Sequence, residues 1–210
     1  MESRGDLPAS IQEWKAITNL LAHYAEGWAT YGTLLNRAKR RDEAETALRK
    51  TIALRAYFPR AYNSLGICLS HQQKFDESYQ NFATAVKLMP DYAEAYVNWG
   101  LVLANQQRVD DAVAKYKLAL EADENYRPAI DRLAKHYADR KDFASAEPYL
   151  RKVAELSPKS PNAWLNLSMV LVQLGKRADA MNTLQRTLEL SPSNQVARKL
   201  VEQLRQTGNR

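Results

Sequence analysis

Among the side chains that could do chemistry near neutral pH are His23, His71, His136 and Cys68, the single cysteine of the chain. Cys68 and His71 stand three residues apart, so on a helix a thiolate and an imidazole would project from neighbouring faces as two soft ligands. A structural zinc site needs four ligands, and the other two histidines lie far off in the chain, so no metal site is expected. Neither a phosphate-binding glycine loop nor a cluster of ligands at metal-site spacing is present. The chain reads as a non-enzyme, with no catalytic residue, no metal and no cofactor. Cys68 alone cannot build a disulfide framework and fits a reducing compartment.

The remaining chemistry is charge. The formal net charge is +6, and the run Arg37, Lys39, Arg40, Arg41 would suit phosphate. No aromatic stacking platform or nucleic-acid motif accompanies that run, which falls between two helical stretches where a solvated turn accounts for it; nucleic acid is therefore not an expected partner. The charge is also banded. Residues 25–60 carry eight basic residues against four acidic ones, whereas residues 61–126 carry nine acidic residues, from Asp76 to Glu124, against five basic ones. The section from 127 onward is basic again. Such bands can steer a partner of mixed charge.

The elements that would position these groups follow from a repeat. From Ala25 to Asn194 five blocks recur at a spacing of 34 residues with no insertion or deletion: 25–58, 59–92, 93–126, 127–160 and 161–194. The fourth position reads Trp28, Tyr62, Tyr96, Ile130, Trp164, and the seventh Tyr31, Leu65, Trp99, Leu133, Leu167. The eighth is small throughout (Gly32, Gly66, Gly100, Ala134, Ser168), and so is the twentieth (Ala44, Ser78, Ala112, Ala146, Ala180). Positions 4, 7, 8 and 11 form one helical stripe and positions 20, 24, 27 and 28 a second. Short side chains let two antiparallel helices approach while the large ones around them fill the gap. A hairpin of this size cannot bury both faces alone, so each block packs on the next in one quasi-linear unit.

These residues resemble the tetratricopeptide repeat, and the resemblance covers residues 25–194; Ala95, Tyr96, Asn98, Trp99, Gly100, Asp111, Ala112, Tyr116 and Ala119 form its clearest copy. It implies an all-α, right-handed α-solenoid of antiparallel helix pairs, about twelve helices in all. Departures are local. Ala56 and Glu124 replace a terminal proline, Arg41 and Arg177 replace an aromatic, and Pro148 inside a second helix predicts a kink or a late start. Outside the blocks, residues 1–10 are expected to be disordered. Residues 11–24 read as an N-terminal cap or half repeat with Ile11, Trp14, Ile17, Leu21 and Tyr24 on one stripe. Residues 195–207 read as a capping helix with Val196, Leu200, Val201 and Leu204 facing the stack, and 208–210 as a tail. No apolar stretch is long enough to span a bilayer, and MESRGDLPAS lacks the order of a signal peptide, so a soluble, cytoplasmic protein with no membrane insertion is expected.

In the family, the first helices line a groove with positions 2, 5, 6, 9, 12 and 13. Here these supply Asn63, Ser64, Ile67, Val97, Asn98, Leu101, Asn105, Arg132, Lys135, Leu165, Asn166 and Met169, a polar ladder beside apolar patches. Amide and guanidinium donors can hold backbone carbonyls while Val97, Leu101 and Met169 receive apolar side chains. The resemblance thus implies a protein-binding scaffold or adaptor that takes a peptide segment or a partner helix. The carboxylate clamp of chaperone-binding members is matched only at Asn98 and Arg132, and both of its lysines are absent. The asparagine ladder of protein O-glycosyltransferases is matched at Asn98 and Asn166 but not at Thr30, Ser64 or Arg132. A substrate-recruiting module of a larger enzyme such as a glycosyltransferase is one alternative; self-association through the N-terminal helix, giving a self-assembling scaffold, is another.

Overall fold

The computed structural model describes residues 7–207, which form twelve α-helices and, among the described residues, no strand. Residues 1–6 and 208–210 lie outside the described residues, and with them most of the N-terminal segment expected to be disordered and the whole of the C-terminal tail. First helices begin at Ala25, Pro59, Ala93, Arg127 and Pro161, 34 residues apart. They are α2 (Ala25–Arg37), α4 (Pro59–His71), α6 (Ala93–Asn105), α8 (Arg127–Asp139) and α10 (Pro161–Gln173). Second helices keep the same phase: α3 (Arg41–Leu54), α5 (Phe75–Leu88), α7 (Val109–Ala122), α9 (Phe143–Leu156) and α11 (Arg177–Leu190). The flanking helices are α1 (Leu7–Leu20) and α12 (Gln195–Thr207).

One local device ends every first helix. Lys39, Gln73, Gln107, Lys141 and Gly175, 34 residues apart, all take left-handed backbone, with φ between 59° and 70°. In the first block Lys39 N–H reaches Asn36 O at 3.0 Å and Arg40 N–H reaches Leu35 O at 2.9 Å. The equivalent pair recurs in the other four blocks. This is the Schellman closure, which satisfies two of the last carbonyls of a helix and turns the chain back. Glycine occupies that position only in the fifth block, which hid the motif from a reading by residue type.

The described chain falls into two compact units, Met1–Ala122 and Asp123–Arg210, where the repeat pattern alone predicts one. The division lies where that pattern is weakest. Glu124 stands in place of the terminal proline, and the fourth block has Ile130 and Tyr137 at positions where the third has Tyr96 and Leu103.

In the first unit α2–α3, α4–α5 and α6–α7 pair as hairpins, with α1 against α2, α3 against α4 and α5 against α6. Close approach is set by the small eighth position. A Cβ added at Gly100 would sit 2.5 Å from Tyr116 Cε1 and 3.1 Å from the Ala112 carbonyl, and Tyr116 is itself buried. Ile11, Tyr31, Leu35, Leu48, Leu65 and Leu69 form one core cluster. The first helix differs from expectation: it spans Leu7–Leu20, so residues 7–10 are helical and 21–24 are not. Its buried residues are Ile11 and Thr18, while Leu21 and Tyr24 are exposed. The chain must turn there, because Tyr24 is the N-cap residue of α2 and the Trp28 indole donates to the Ala22 carbonyl at 3.0 Å.

In the second unit α8–α9 and α10–α11 pair, α9 packs on α10, and α12 on α11. Ile130, Leu133, Leu167, Leu171 and Leu184 are fully buried. Helix α9 does not start late despite Pro148, because the Asp142 side chain caps it, accepting from Ser145 N–H at 3.2 Å. In α12, Val196 is exposed and Ala197 is buried, so the packed stripe is Ala197, Leu200, Val201, Leu204, the spacing of one helical face.

Each unit carries one copy of the same ion-pair clasp. In the first, Glu45 on α3 accepts from Arg49 at 2.9 Å and from Lys74 at 2.9 Å, and Arg49 also reaches Glu77 at 2.7 Å. In the second, Glu147 on α9 accepts from Arg151 at 2.9 Å and from Lys176 at 2.6 Å, and Arg151 also reaches Asp179 at 2.7 Å. The four positions correspond one for one, three periods apart. Burial alone would raise the Glu45 carboxyl, but hydrogen bonds from Lys74, Arg49 and Gln72 outweigh it and hold its pKa below the ordinary value. For Glu147 the Lys176 hydrogen bond dominates, against burial and with help from Arg151, and its pKa is likewise lowered.

Candidate functional site

Two hollows border the first helices, one in each unit. The hollow of the first unit, about 660 Å3, lies along α2 and α4 and is lined by Thr33, Asn36, Arg37, Lys39, Arg41, Arg60, Asn63, Ser64, Ile67, His71, Tyr92 and Glu94. Its floor is a short polar chain. Thr33 Oγ1 and Ser64 Oγ are 3.4 Å apart, Asn63 Nδ2 donates to the Tyr92 hydroxyl at 3.2 Å, and Asn98 Nδ2 donates to Asn63 Oδ1 at 3.2 Å. Asn63 is only 2% exposed, so these bonds satisfy an amide that burial would otherwise penalise. Arg41 donates to the backbone and side-chain oxygens of Asn36, which fixes its guanidinium at the rim.

The hollow of the second unit is larger, about 880 Å3, and its walls are mainly apolar: Ala134, Ala138, Phe143, Leu150, Val153, Met169, Val170 and Leu200, with Lys135, Asn162, Asn166 and Gln173 among the polar groups. Most of its rim charges cancel locally, since Arg127 pairs with Asp131 at 2.8 Å and Lys135 with Asp139 at 2.7 Å, which leaves Lys141 as the remaining cation of the lining. Met169 is 44% exposed, an apolar side chain held out at the wall of an apolar pocket.

Models of one family, the tetratricopeptide repeat, match residues 71–127 and residues 137–204. The chain is a tetratricopeptide repeat protein. Solved structures agree on the fold. YrrB, described as a tetratricopeptide repeat protein with an unusual peptide-binding site, is 17% identical, with 90% of this chain and 97% of that one covered and a TM-score of 0.60. PilW, described as a widely conserved type IV pilus biogenesis factor, is 18% identical, with 93% and 91% covered and a TM-score of 0.65. Yeast Tom70 is 18% identical with a TM-score of 0.68; the match covers 99% of this chain but 45% of Tom70. At such identities the likeness is one of fold. None of the curated proteins compared with the sequence matches it.

Placed on this tetratricopeptide repeat frame, the expected groove residues separate into groups. Asn63, Ser64 and Ile67 line the first hollow, and Lys135, Asn166 and Met169 line the second. Val97 is buried, 4% exposed, and belongs to the core rather than to a ligand surface, because position 5 of the third block turns inward. Asn98 spends an amide hydrogen on Asn63 and supports the hollow from behind. Leu101 and Leu165 are half-buried, and Asn105 and Arg132 exposed; none of these four lines either hollow. Among the lining residues not expected, Arg37, Arg60, His71, Glu94, Asn162 and Gln173 occupy positions 2 and 13, and Thr33 and Asn36 positions 9 and 12, all named for the family but not followed through every block. Lys39, Arg41 and Tyr92 fall outside those positions. Leu200 was missed as well, although α12 begins in phase with the repeat and places it where a sixth position would fall.

Cys68 and His71 do not form a ligand pair. The Cys68 thiol is buried and donates to the Arg41 carbonyl at 3.3 Å, with its pKa raised first by burial. The His71 ring is exposed, with Nδ1 2.8 Å from the Ile67 carbonyl. Among the described residues no group of three or more His, Cys, Asp or Glu could hold a metal ion, and no helix is long and apolar enough to cross a membrane.

Proposed function

We propose that this chain is a non-enzymatic scaffold or adaptor that takes a peptide segment or one face of a partner helix in its hollows. The observation that carries the reading is that each unit has a hollow along its first helices whose lining includes side chains left over from helix packing: Ser64 and Ile67 in one, Asn166 and Met169 in the other. A few convergent polar groups beside apolar wall is the composition that orients an extended or helical ligand. The fold is shared with YrrB, whose description includes a peptide-binding site, and with a family whose general role is protein interaction.

The test is selection of displayed peptides on the purified chain, followed by affinity measurement against Ile67→Glu and Met169→Glu variants. Loss of about tenfold or more in affinity for one variant or the other is expected for each selected peptide. Peptides that bind both variants like the parent would move the interaction to another face and end this reading.

One observation favours a second reading, self-association through the N-terminal helix: Leu20, Leu21 and Tyr24, where α1 gives way to α2, are 83%, 52% and 42% exposed. Sedimentation over a concentration series would show association that Leu20→Glu, Leu21→Glu abolishes; a monomer at high concentration removes it.

A further inference from the structure

Many cations of the first unit are paired, and of those that are not, three gather at one hollow while others, such as Lys50, Lys87 and Lys117, lie apart from it. Arg40 is paired with Glu43, Arg49 with Glu45 and Glu77, Arg55 with Glu26, Lys74 with Glu45 and Arg108 with Asp111. Arg37, Lys39 and Arg60 have no such partner among the described residues, all three are exposed, and all three line the first hollow. Together with Arg41 they set four cationic groups around one concavity against a single carboxylate, Glu94. Like charges gathered in a hollow raise the local potential, and an anionic ligand relieves their repulsion. The second hollow is closer to balance, since its rim cations Arg127 and Lys135 are each neutralised by an aspartate one helical turn away and only Lys141 in its lining has no ion pair among the described residues.

We infer that the first hollow holds an acidic protein segment. Its side-chain carboxylates pair with Arg37, Lys39 and Arg60, and an adjacent apolar side chain rests on Ile67. This rests on the groove-binding reading above and names the ligand chemistry of one of its two sites. The arginines match a carboxylate with a planar fork of donors, while the Ser64 hydroxyl can donate to a peptide carbonyl and Thr33 Oγ1, whose hydrogen goes to the Ala29 carbonyl, can accept from a peptide N–H. The cations occupy the end of α2, the turn after it and the start of α4, so the site differs in position from the clamp sought in the sequence. A single strand of nucleic acid suits the hollow less well. Base stacking needs successive aromatic faces, and the lining offers only the Tyr92 ring and the His71 imidazole beside its cations.

The experiment is fluorescence anisotropy with the full chain and three labelled probes: a peptide of alternating Glu and Leu, its Gln-for-Glu counterpart, and an oligo-dT strand. The Glu peptide should bind, weaken as salt rises, and lose about tenfold or more in affinity in an Arg37→Ala, Lys39→Ala, Arg60→Ala variant. A control variant, Lys87→Ala with Lys117→Ala, removes two exposed cations of the same unit that do not line the hollow, and it should bind like the parent. Equal binding of the Gln peptide, or an equal loss in the control, overturns the inference. Tighter binding of oligo-dT that the triple variant abolishes replaces it with a nucleic-acid site. If the Glu peptide fails to bind while library-selected peptides still depend on Ile67 or Met169, the acidic ligand is wrong and the groove reading survives. If both fail, both are withdrawn.

Discussion

The two units are built from one repeat, yet they agree in their ion-pair clasp and differ in their hollows. The clasp joins a second helix to the second helix of the next block at the same four positions in each unit, through Glu45 and through Glu147. Between the second and third blocks the same places hold Tyr79 and Arg108, and the contact becomes a guanidinium 5.5 Å over a ring. The hollows share no such identity: one is rimmed by unpaired cations and the other walled by apolar side chains. Positions that face a neighbouring helix are constrained by packing and charge balance, so they repeat. Positions that face the hollow are free of that constraint, and there the units diverge.

The largest effect that would break this comparison is at the eighth position, glycine in the first unit and Ala134 or Ser168 in the second. Gly100→Val should cost about 3 kcal/mol in urea unfolding, because its added carbons meet the buried Tyr116 ring and the Ala112 backbone rather than a movable chain end. Ser168→Ala should cost about 1 kcal/mol, since only the bond from Ser168 Oγ to Thr183 Oγ1 at 2.9 Å and its like are lost. Equal costs at the two sites would mean that the eighth position does not set helix approach differently in the two units.

Next in size is the clasp. Glu45→Gln and Glu147→Gln should each destabilise by about 2 kcal/mol, measured by thermal or denaturant unfolding, with the two values close to one another. A cost confined to one unit would show that geometric equivalence is not energetic equivalence. Both carboxyls have pKa values lowered by folding from the ordinary value of 4.5, so the unfolded chain binds protons more readily than the folded one in that range. The stabilisation is therefore complete at neutral pH and is lost as pH falls through the depressed folded values. Parent stability should drop on acidification with a steeper slope than that of the double Gln variant.

The smallest effect concerns the left-handed turns. Lys141→Gly should stabilise by about 0.5–1 kcal/mol, because φ of 59° strains a side-chain-bearing residue. Lys39→Gly should gain a similar amount while weakening an acidic ligand, which separates the energetic role of that turn from its place at the hollow.

The sequence made the helices legible to a high degree, because the first and second helices obey a period that packing enforces. Pro148 misled, since a helix interior can absorb one missing hydrogen bond when Asp142 secures its start. The N-terminal helix was shifted, because Leu21 and Tyr24 continue its apolar stripe in sequence although the Trp28 indole and the α2 N-cap need the chain to turn there. The site was legible only in part. Ser64, Ile67, Lys135, Asn166 and Met169 were found by position, but Val97 was not distinguishable from them, since an apolar residue reads the same facing a hollow or a core. The division into two units left only the weak signs at Glu124 and Ile130.

The chain from Asn98 through Asn63 to Tyr92 also bears on how the blocks find their order. A buried amide that needs a partner from the following block acts as a password. In its native place Asn63 meets Asn98 and Tyr92, whereas pairing with the first helix of the fourth block would offer Arg132 at the equivalent position, and with that of the first block Thr30. Arg132 and Thr30 could also donate to Asn63 Oδ1 but with a different reach, so a mismatched stack would lose the fitted amide–amide bond. The cost is about 0.5–1.5 kcal/mol, a modest bias against swapped or out-of-order assembly in a molecule whose apolar seams are alike.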